Sequence, residues 1–239
     1  MPDRDLLILV CTYNEAANLP QLLPRLREST PDADVLIIDD GSRDGTHEYL
    51  ASVRDEYPRL TVIDRGSKKG LGTAIRDGLV YARDRGYRLC LNLDADLSHD
   101  PADVPRLLAE IDASPVADLV IGSRYVRGGG LRNCSWRRKL TSNTVNFLAR
   151  RMIGWPVRDC SSAFRCYRLA SLAGTDLSSI ENPSYGFLEE ILCLMWRSGS
   201  EIREVPIIYT EREAGASKIS ASEAWQTLAT LTRLSRGRG

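Results

Sequence analysis

The chain has 239 residues, 43% of them hydrophobic, enough to bury a sizeable core in one large domain or at most two. Its 32 Lys and Arg balance 32 Asp and Glu, which argues against a nucleic-acid partner and requires any basic site to be local. No apolar run approaches the ~18 residues of a membrane span, residues 1–5 carry charge where a signal peptide is apolar, and the six cysteines form no CxxC pair, so a cytoplasmic protein with reduced thiols is expected.

Apolar runs at 6–11, 35–38, 60–63, 88–93 and 118–122 predict five short strands. Between them, helical spacing at 19–26, a segment ending before Pro58, a glycine-opened stretch at 70–85 and a segment starting near Pro101 predict helices. Short strands bounded by helices read as βαβ units with right-handed crossovers and a mainly parallel sheet. The fold class is therefore α/β, an open sheet that binds ligands beyond the carboxyl ends of its strands. Polar clusters follow the first, second and fourth strands, so all three fall on that edge.

Each cluster admits two readings. Tyr13 and Glu15 hold a nucleobase, or open a helix at the surface. Asp40, followed by Gly41, accepts hydrogen bonds from a ribose or base, or belongs to an ordinary strand-to-helix turn. The run G-L-G-T-A from Gly70, preceded by Lys68 and Lys69, cradles phosphate at a helix N-terminus, or is a flexible turn; the full P-loop pattern is absent. Most informative is L-N-L-D-A-D-L-S-H at 91–99, where an apolar strand runs into Asp94 and Asp96, one small residue apart. Two carboxylates leaving a strand end together suit one hard divalent cation bridging the diphosphate of a nucleotide. The ordinary alternative is an acidic turn capping the next helix.

These motifs carry a family resemblance. C-T-Y-N-E-A-A-N-L-P (11–20), D-D-G-S-R-D-G-T (39–46), K-K-G-L-G-T-A (68–74) and D-A-D-L-S-H (94–99) resemble inverting glycosyltransferases of the GT-A type. G-S-R-Y-V-R-G-G-G (122–130), R-K-L-T-S-N (138–143), S-A-F-R-C-Y (162–167), E-V-P-I (204–207) and R-E-A-G-A-S-K (212–218) narrow the likeness to the dolichol-phosphate mannose synthases of family 2. The resemblance implies a GT-A fold, a Rossmann-like nucleotide-diphospho-sugar transferase with a mainly parallel sheet flanked by helices. It implies a catalytic domain over 1–215, with an acceptor-side helix at about 136–153, and a helical tail over 216–239.

The implied reaction moves mannose from GDP-mannose to a polyprenyl phosphate with Mg2+ or Mn2+ as cofactor. The alternatives are UDP-glucose as donor, a non-lipid acceptor, and a silent nucleotide-sugar-binding module. Base and ribose contacts fall on Cys11, Tyr13, Glu15, Ile38 and Asp40, and metal and diphosphate contacts on Asp94, Ala95 and Asp96. Arg124, Arg212 and Lys218 close over the phosphates, while Arg138 and Ser142 meet the acceptor phosphate. The catalytic set is then Asp94, Asp96, Arg124 and Arg138. The chain departs from the family where Cys11 replaces a proline, in R-D-C-S-S-A-F-R (158–165) and in F-L-E-E-I (187–191); the last two lie on the acceptor side.

The residues around the acceptor motif also speak for themselves. Trp136, Leu140, Phe147, Leu148 and Met152 fall near one helical face, flanked by Arg137, Arg138, Lys139, Arg150 and Arg151. Such a helix lies in a membrane interface, or packs on the domain with its arginines in water. A second stripe of Ala224, Trp225, Leu228 and Leu231, ending in Arg233, Arg236 and Arg238, docks on protein or on lipid. Peripheral association with the cytoplasmic face of a membrane is expected, through these surfaces or through a separate membrane-anchoring subunit.

Overall fold

The computed structural model describes residues 5–180, 182–184, 186–211 and 230–235, with backbone alone at 137, 138, 141 and 145. The first half alternates β1 (Leu6–Thr12), α1 (Leu19–Ser29), β2 (Asp34–Asp39), α2 (Thr46–Ser52), β3 (Leu60–Asp64), α3 (Leu71–Asp84) and β4 (Leu89–Asp94). Then come α4 (Val104–Ala113), β5 (Ala117–Ser123), β6 (Gly130–Arg132) and α5 (Trp136–Ile153). The chain continues through β7 (Arg165–Arg168), α6 (Gly186–Arg197), β8 (Glu201–Pro206) and β9 (Ile208–Thr210). Each of the five strands expected from the apolar runs is present, within a residue or two.

Seven strands form one sheet in the order β3-β2-β1-β4-β7-β5-β8, and β6 pairs with β9 beside it. All pairs in the large sheet are parallel except those of β7, which runs antiparallel to both β4 and β5. β7 was not foreseen as a strand. It is four residues long, and Arg165 and Arg168 break its apolar character.

Both faces of the sheet are covered, which explains why its strands read as continuous apolar runs. Leu7 and Leu9 of β1 pack with α3 and α6 on one face, while Ile8 and Val10 pack with α1 and α4 on the other. The α3 helix approaches closely because Gly78 leaves room: a Cβ there would stand 2.4 Å from Leu9 Cδ1. Residues 230–235 are helical and dock on the protein. Leu231 is fully buried, Arg233 pairs with Glu190, and Arg197 Nη2 donates to the Leu234 carbonyl at 2.5 Å. The rest of the second stripe lies outside the described residues. All six cysteines are free thiols. Among the described residues no helix is long and apolar enough to cross a membrane.

Arg165 and Glu189 are among the ionisable groups buried in this core. Arg165 of β7 is wholly buried and survives there because its nitrogens donate to the carbonyls of Ser162, Leu188 and Cys160 at 2.6–2.7 Å. Glu189 of α6 is also buried, and its Oε2 has no hydrogen-bond partner among the described residues. Burial pushes its carboxyl up to about 7, although Arg165 pulls the other way. A carboxyl that holds its proton more tightly when folded contributes its full stability below the unfolded value near 4.5 and loses it as pH rises to 7. Glu189→Gln should therefore gain on the wild type across pH 4.5–7, by up to about 3 kcal/mol in denaturant unfolding. A stability difference that stays constant with pH would contradict this protonation.

Candidate active site

The sheet order reverses direction between β1 and β4, and that boundary opens the crevice in which α/β sheets bind ligands. Parallel register sets the row along it. Cys11 lies opposite both Ile38 and Asp94, and Thr12 lies opposite Asp39, so the three polar clusters stand side by side at one level.

The first two clusters are locked by one buried carboxylate. Asp39 Oδ1 accepts from the Thr12 hydroxyl at 2.9 Å and the Ser42 hydroxyl at 2.5 Å, while its Oδ2 accepts from the Ser42 amide at 2.8 Å. Ser42 Oγ in turn accepts from the Asn14 amide at 2.8 Å, and Asn14 Oδ1 accepts from the Arg43 amide at 2.9 Å. Asn14 has φ 58°, a left-handed conformation that Asn tolerates better than most residues. The D-D-G-S-R-D-G-T run thus holds the loop after β1 against the loop after β2. Sequence reasoning missed Asp39 and Ser42 in this role.

Asp40, expected at a ribose or base, makes its hydrogen bonds within the protein. Its Oδ2 accepts from the amides of Lys69 and Gly70 at 3.2 and 2.8 Å, and its Oδ1 lies 2.8 Å from Nη1 of Arg65, whose side chain is 5% exposed. The K-K-G-L-G loop is thereby pinned beside the crevice. Gly70 is required there, since it has φ 100° and a Cβ would meet the Pro183 carbonyl at 2.3 Å. Tyr13 is half-buried with Lys68 Nζ 4.3 Å from its ring centroid, a cation–π contact. Glu15 is buried and accepts from Asn18 Nδ2 at 2.5 Å. Cys11 is half-buried and Ile38 buried, both against the α3 side of the core.

At the third cluster, Asp94 ends β4 with its side chain 21% exposed. Ala95 is buried, and Leu97 at φ 62° turns the chain. Asp96 is buried, its Oδ1 accepting from the Ser98 amide at 2.9 Å and from the Ser98 hydroxyl. Behind the pair stands His99, its ring 5.2 Å from Phe164 and 5.6 Å from Tyr209. Burial holds His99 down to about 4, so it is neutral at neutral pH. Its Nδ1 accepts from the Asp94 amide at 3.4 Å, which leaves the proton on Nε2.

Groups able to hold a divalent cation stand at two places along this edge. Asp94 and Asp96 offer hard carboxylate oxygens at the crevice, the donor type that would suit Mg2+ or Mn2+. About 10 Å away, two strands over, Asp39, His47 and Asp64 bring one ligand atom each within 4.8 Å of one another. His47 Nε2 is 3.0 Å from Asp39 Oδ2.

Arg124, just past β5, faces the buried carboxylate of Asp159. Its Nε and Nη2 donate to Asp159 at 2.7 and 2.6 Å, its backbone amide donates to Asp159 Oδ2 at 2.9 Å, and Nη2 also reaches Ser161 Oγ at 2.8 Å. Burial would raise the Asp159 carboxyl, but the Arg124 guanidinium outweighs it and holds the group below the usual carboxylate range. Glu204 of the E-V-P-I motif accepts from the amides of Arg158 and Asp159 at 2.8 and 3.0 Å. Ser142 of α5 shares a hydrogen bond of 2.5 Å with the Tyr125 hydroxyl. Arg138 lies in the first turns of α5, described by its backbone, and Arg212 and Lys218 lie outside the described residues. Asp159, Arg65 and Glu204 were not singled out from the sequence, since no local pattern says which buried cation meets which acid.

The model of the family described as glycosyl transferase family 2 matches residues 7–174. Polyprenol monophosphomannose synthase of Mycolicibacterium smegmatis is 38% identical over 245 residues, spanning 100% of this chain and 92% of that protein. Undecaprenyl-phosphate mannosyltransferase of Micrococcus luteus is 40% identical over 227 residues, spanning 95% and 92%. Among solved structures, glucosyl-3-phosphoglycerate synthase of Mycobacterium tuberculosis in complex with Mn2+, UDP-glucose and phosphoglyceric acid matches with a TM-score of 0.74 at 17% identity, over 98% of this chain and 80% of that one. At that identity the likeness is one of fold. A nucleotide-sugar crevice built on this sheet, a family model covering most of the chain and two relatives matched along nearly their full length agree: the chain belongs to glycosyl transferase family 2 and is a GT-A hexosyltransferase related by sequence to the polyprenyl- and undecaprenyl-phosphate mannosyltransferases.

Proposed function

We propose that the protein transfers mannose from GDP-mannose to a polyprenyl phosphate with inversion, working as a peripheral enzyme on the cytoplasmic face of a membrane. The observation that carries the acceptor class is helix α5, which leaves large apolar side chains exposed among cations on its outer side. Its inner stripe is Ser142, Asn146, Ala149 and Ile153, with Asn146 buried at its centre. Its outer side shows Trp136, Leu140 and Phe147 at 70%, 59% and 67% exposure, with Lys139, Arg150 and Arg151 also exposed. Met152, expected on the apolar face, turns inward to the core. Large apolar side chains ringed by cations suit a bed of acyl chains beneath anionic headgroups, which is where a polyprenyl phosphate resides.

Chemistry follows from acid strength. A phosphate monoester has a second pKa near ~6, so the acceptor oxygen is already largely anionic at neutral pH and needs no strong base to activate it. The residues then have two tasks, holding two phosphate groups against their repulsion and aligning the attacking oxygen opposite the departing nucleoside diphosphate. Asp94 and Asp96 hold the divalent cation, which when bound supplies positive charge to the leaving diphosphate. Arg124, Arg212 and Lys218 meet the donor phosphates, and Arg138 and Ser142 the acceptor phosphate. Cys11, Tyr13, Glu15, Ile38 and Asp40 line the base and ribose pocket, and Asp40 Oδ2 also pins the 69–70 loop beside it. Displacement from the face opposite the leaving group gives a β-linked product from an α-linked donor. We read 1–215 as the catalytic domain and 216–239 as its tail.

Purified protein incubated with a polyprenyl phosphate should turn over GDP-mannose; turnover of UDP-glucose alone, or of either sugar without a lipid phosphate, would overturn the reading. Asp96→Asn should lower transfer by about 10²-fold or more while leaving the unfolding midpoint in place. In cosedimentation with anionic phospholipid vesicles, Phe147→Glu should lower the bound fraction several-fold without loss of fold. Equal binding of variant and wild type would remove α5 from the membrane contact.

A further inference from the structure

The Arg124 guanidinium has five N–H donors in one plane, and the structure accounts for three of them. Nε and one hydrogen of Nη2 go to Asp159, and the other hydrogen of Nη2 goes to Ser161. The two donors on Nη1 have no hydrogen-bond partner among the described residues. A fork fixed along one edge by a bidentate carboxylate presents its remaining nitrogen in one direction. Arg124 stands at the carboxyl end of β5, on the same edge as Asp94 and two strand spacings, about 10 Å, from it.

Asp159 is itself held from two sides. From β8, Glu204 grips its amide and that of Arg158. From α5, Asn146 Oδ1 accepts from the amide of the next residue, Cys160, at 2.8 Å and from its thiol at 3.1 Å. Asn146 is 4% exposed and also donates through Nδ2 to the Ser142 carbonyl at 2.9 Å, so it sits within the inner stripe of the helix. An unbroken chain of contacts thus runs from α5 through Asn146, Cys160 and Asp159 to Arg124. The Tyr125–Ser142 hydrogen bond ties the same two elements a second time.

We propose that Asp159 and Asn146 are positioning residues of the transfer reaction: Asp159 aims the Arg124 guanidinium at the donor diphosphate, and Asn146 fastens the segment carrying Asp159 to the acceptor-side helix. The proposal rests on the reading of Arg124 as a diphosphate contact. Its physical content is that neither residue touches a substrate and both act through Arg124. Seating of α5 on the acceptor side then sets the cation that the donor meets.

The test is a set of double-mutant cycles on the full chain, with kcat and KM measured for donor and acceptor. Calorimetric binding of GDP with Mg2+ gives a readout that does not depend on transfer. Arg124→Gln should lower kcat by about 10²-fold, Asp159→Asn by a comparable factor and Asn146→Ala by about tenfold. In the Arg124→Gln background, both second substitutions should have no further effect on kcat, because the group they position is gone. The acceptor KM should stay within about twofold throughout. Losses that multiply in the double variants would overturn the proposal, as would wild-type kcat in both Asp159→Asn and Asn146→Ala alongside an impaired Arg124→Gln. Wild-type kcat and GDP affinity in Arg124→Gln would instead sink the underlying assignment of Arg124, a result distinct from the other two. If Asp159→Asn does not fold, the cycle of Asn146→Ala with Arg124→Gln carries the test on its own terms.

Discussion

Parallel pairing of β1 with β2 on one side and β4 on the other is the constraint from which the site follows. Evenly staggered parallel ladders place the carboxyl ends of all three strands at one level, so Thr12, Asp39 and Asp94 become neighbours although they are far apart along the chain. The strand order reverses at this point, leaving a crevice between loops that would otherwise be covered by crossover helices. Buried Leu7, Leu9, Ile8 and Val10 fix β1 from both faces, so the edge is held by the core.

Loops on that edge carry many polar groups near the core, and a buried polar group is costly unless it is paired. The structure answers with hubs. Asp39 gathers Thr12 and Ser42, Asp40 gathers Arg65 and the 69–70 amides, and Asp159 gathers Arg124. Each hub uses a carboxylate to fasten separate loops to one another. The result is a preorganised crevice in which loops are fixed before a substrate arrives. Asp94 differs, since its side chain keeps contact with solvent at the strand end.

The second half of the chain adds surface to that frame. Helix α5 turns Ser142, Asn146, Ala149 and Ile153 inward and leaves Trp136, Leu140 and Phe147 outward, large apolar side chains that the core does not cover. Its attachment rests on hydrogen bonds from Ser142 and Asn146 as well as on Ala149 and Ile153. Antiparallel β7 between β4 and β5 completes the link, bringing the segment that follows α5 back through the middle of the sheet. Buried Arg165 at its start anchors that segment to α6 through the Leu188 carbonyl.

Five strands, their alternating helices and the Asp94-Ala95-Asp96 cluster were legible in the order of residues, because apolar periodicity and strand-end turn chemistry are local properties. Family likeness was legible too, from motifs kept in sequence along nearly the whole chain. Partner choice among buried charges was not. Nothing near Asp40 distinguishes Arg65 as its cation, and Arg124 and Asp159 meet across 35 positions. The apolar stripe on α5 was visible, yet its outward direction, and the inward turn of Met152, depended on which face docks against the core. Such pairings are set where separate elements come to rest against one another, where desolvation selects the few arrangements that leave each charge satisfied.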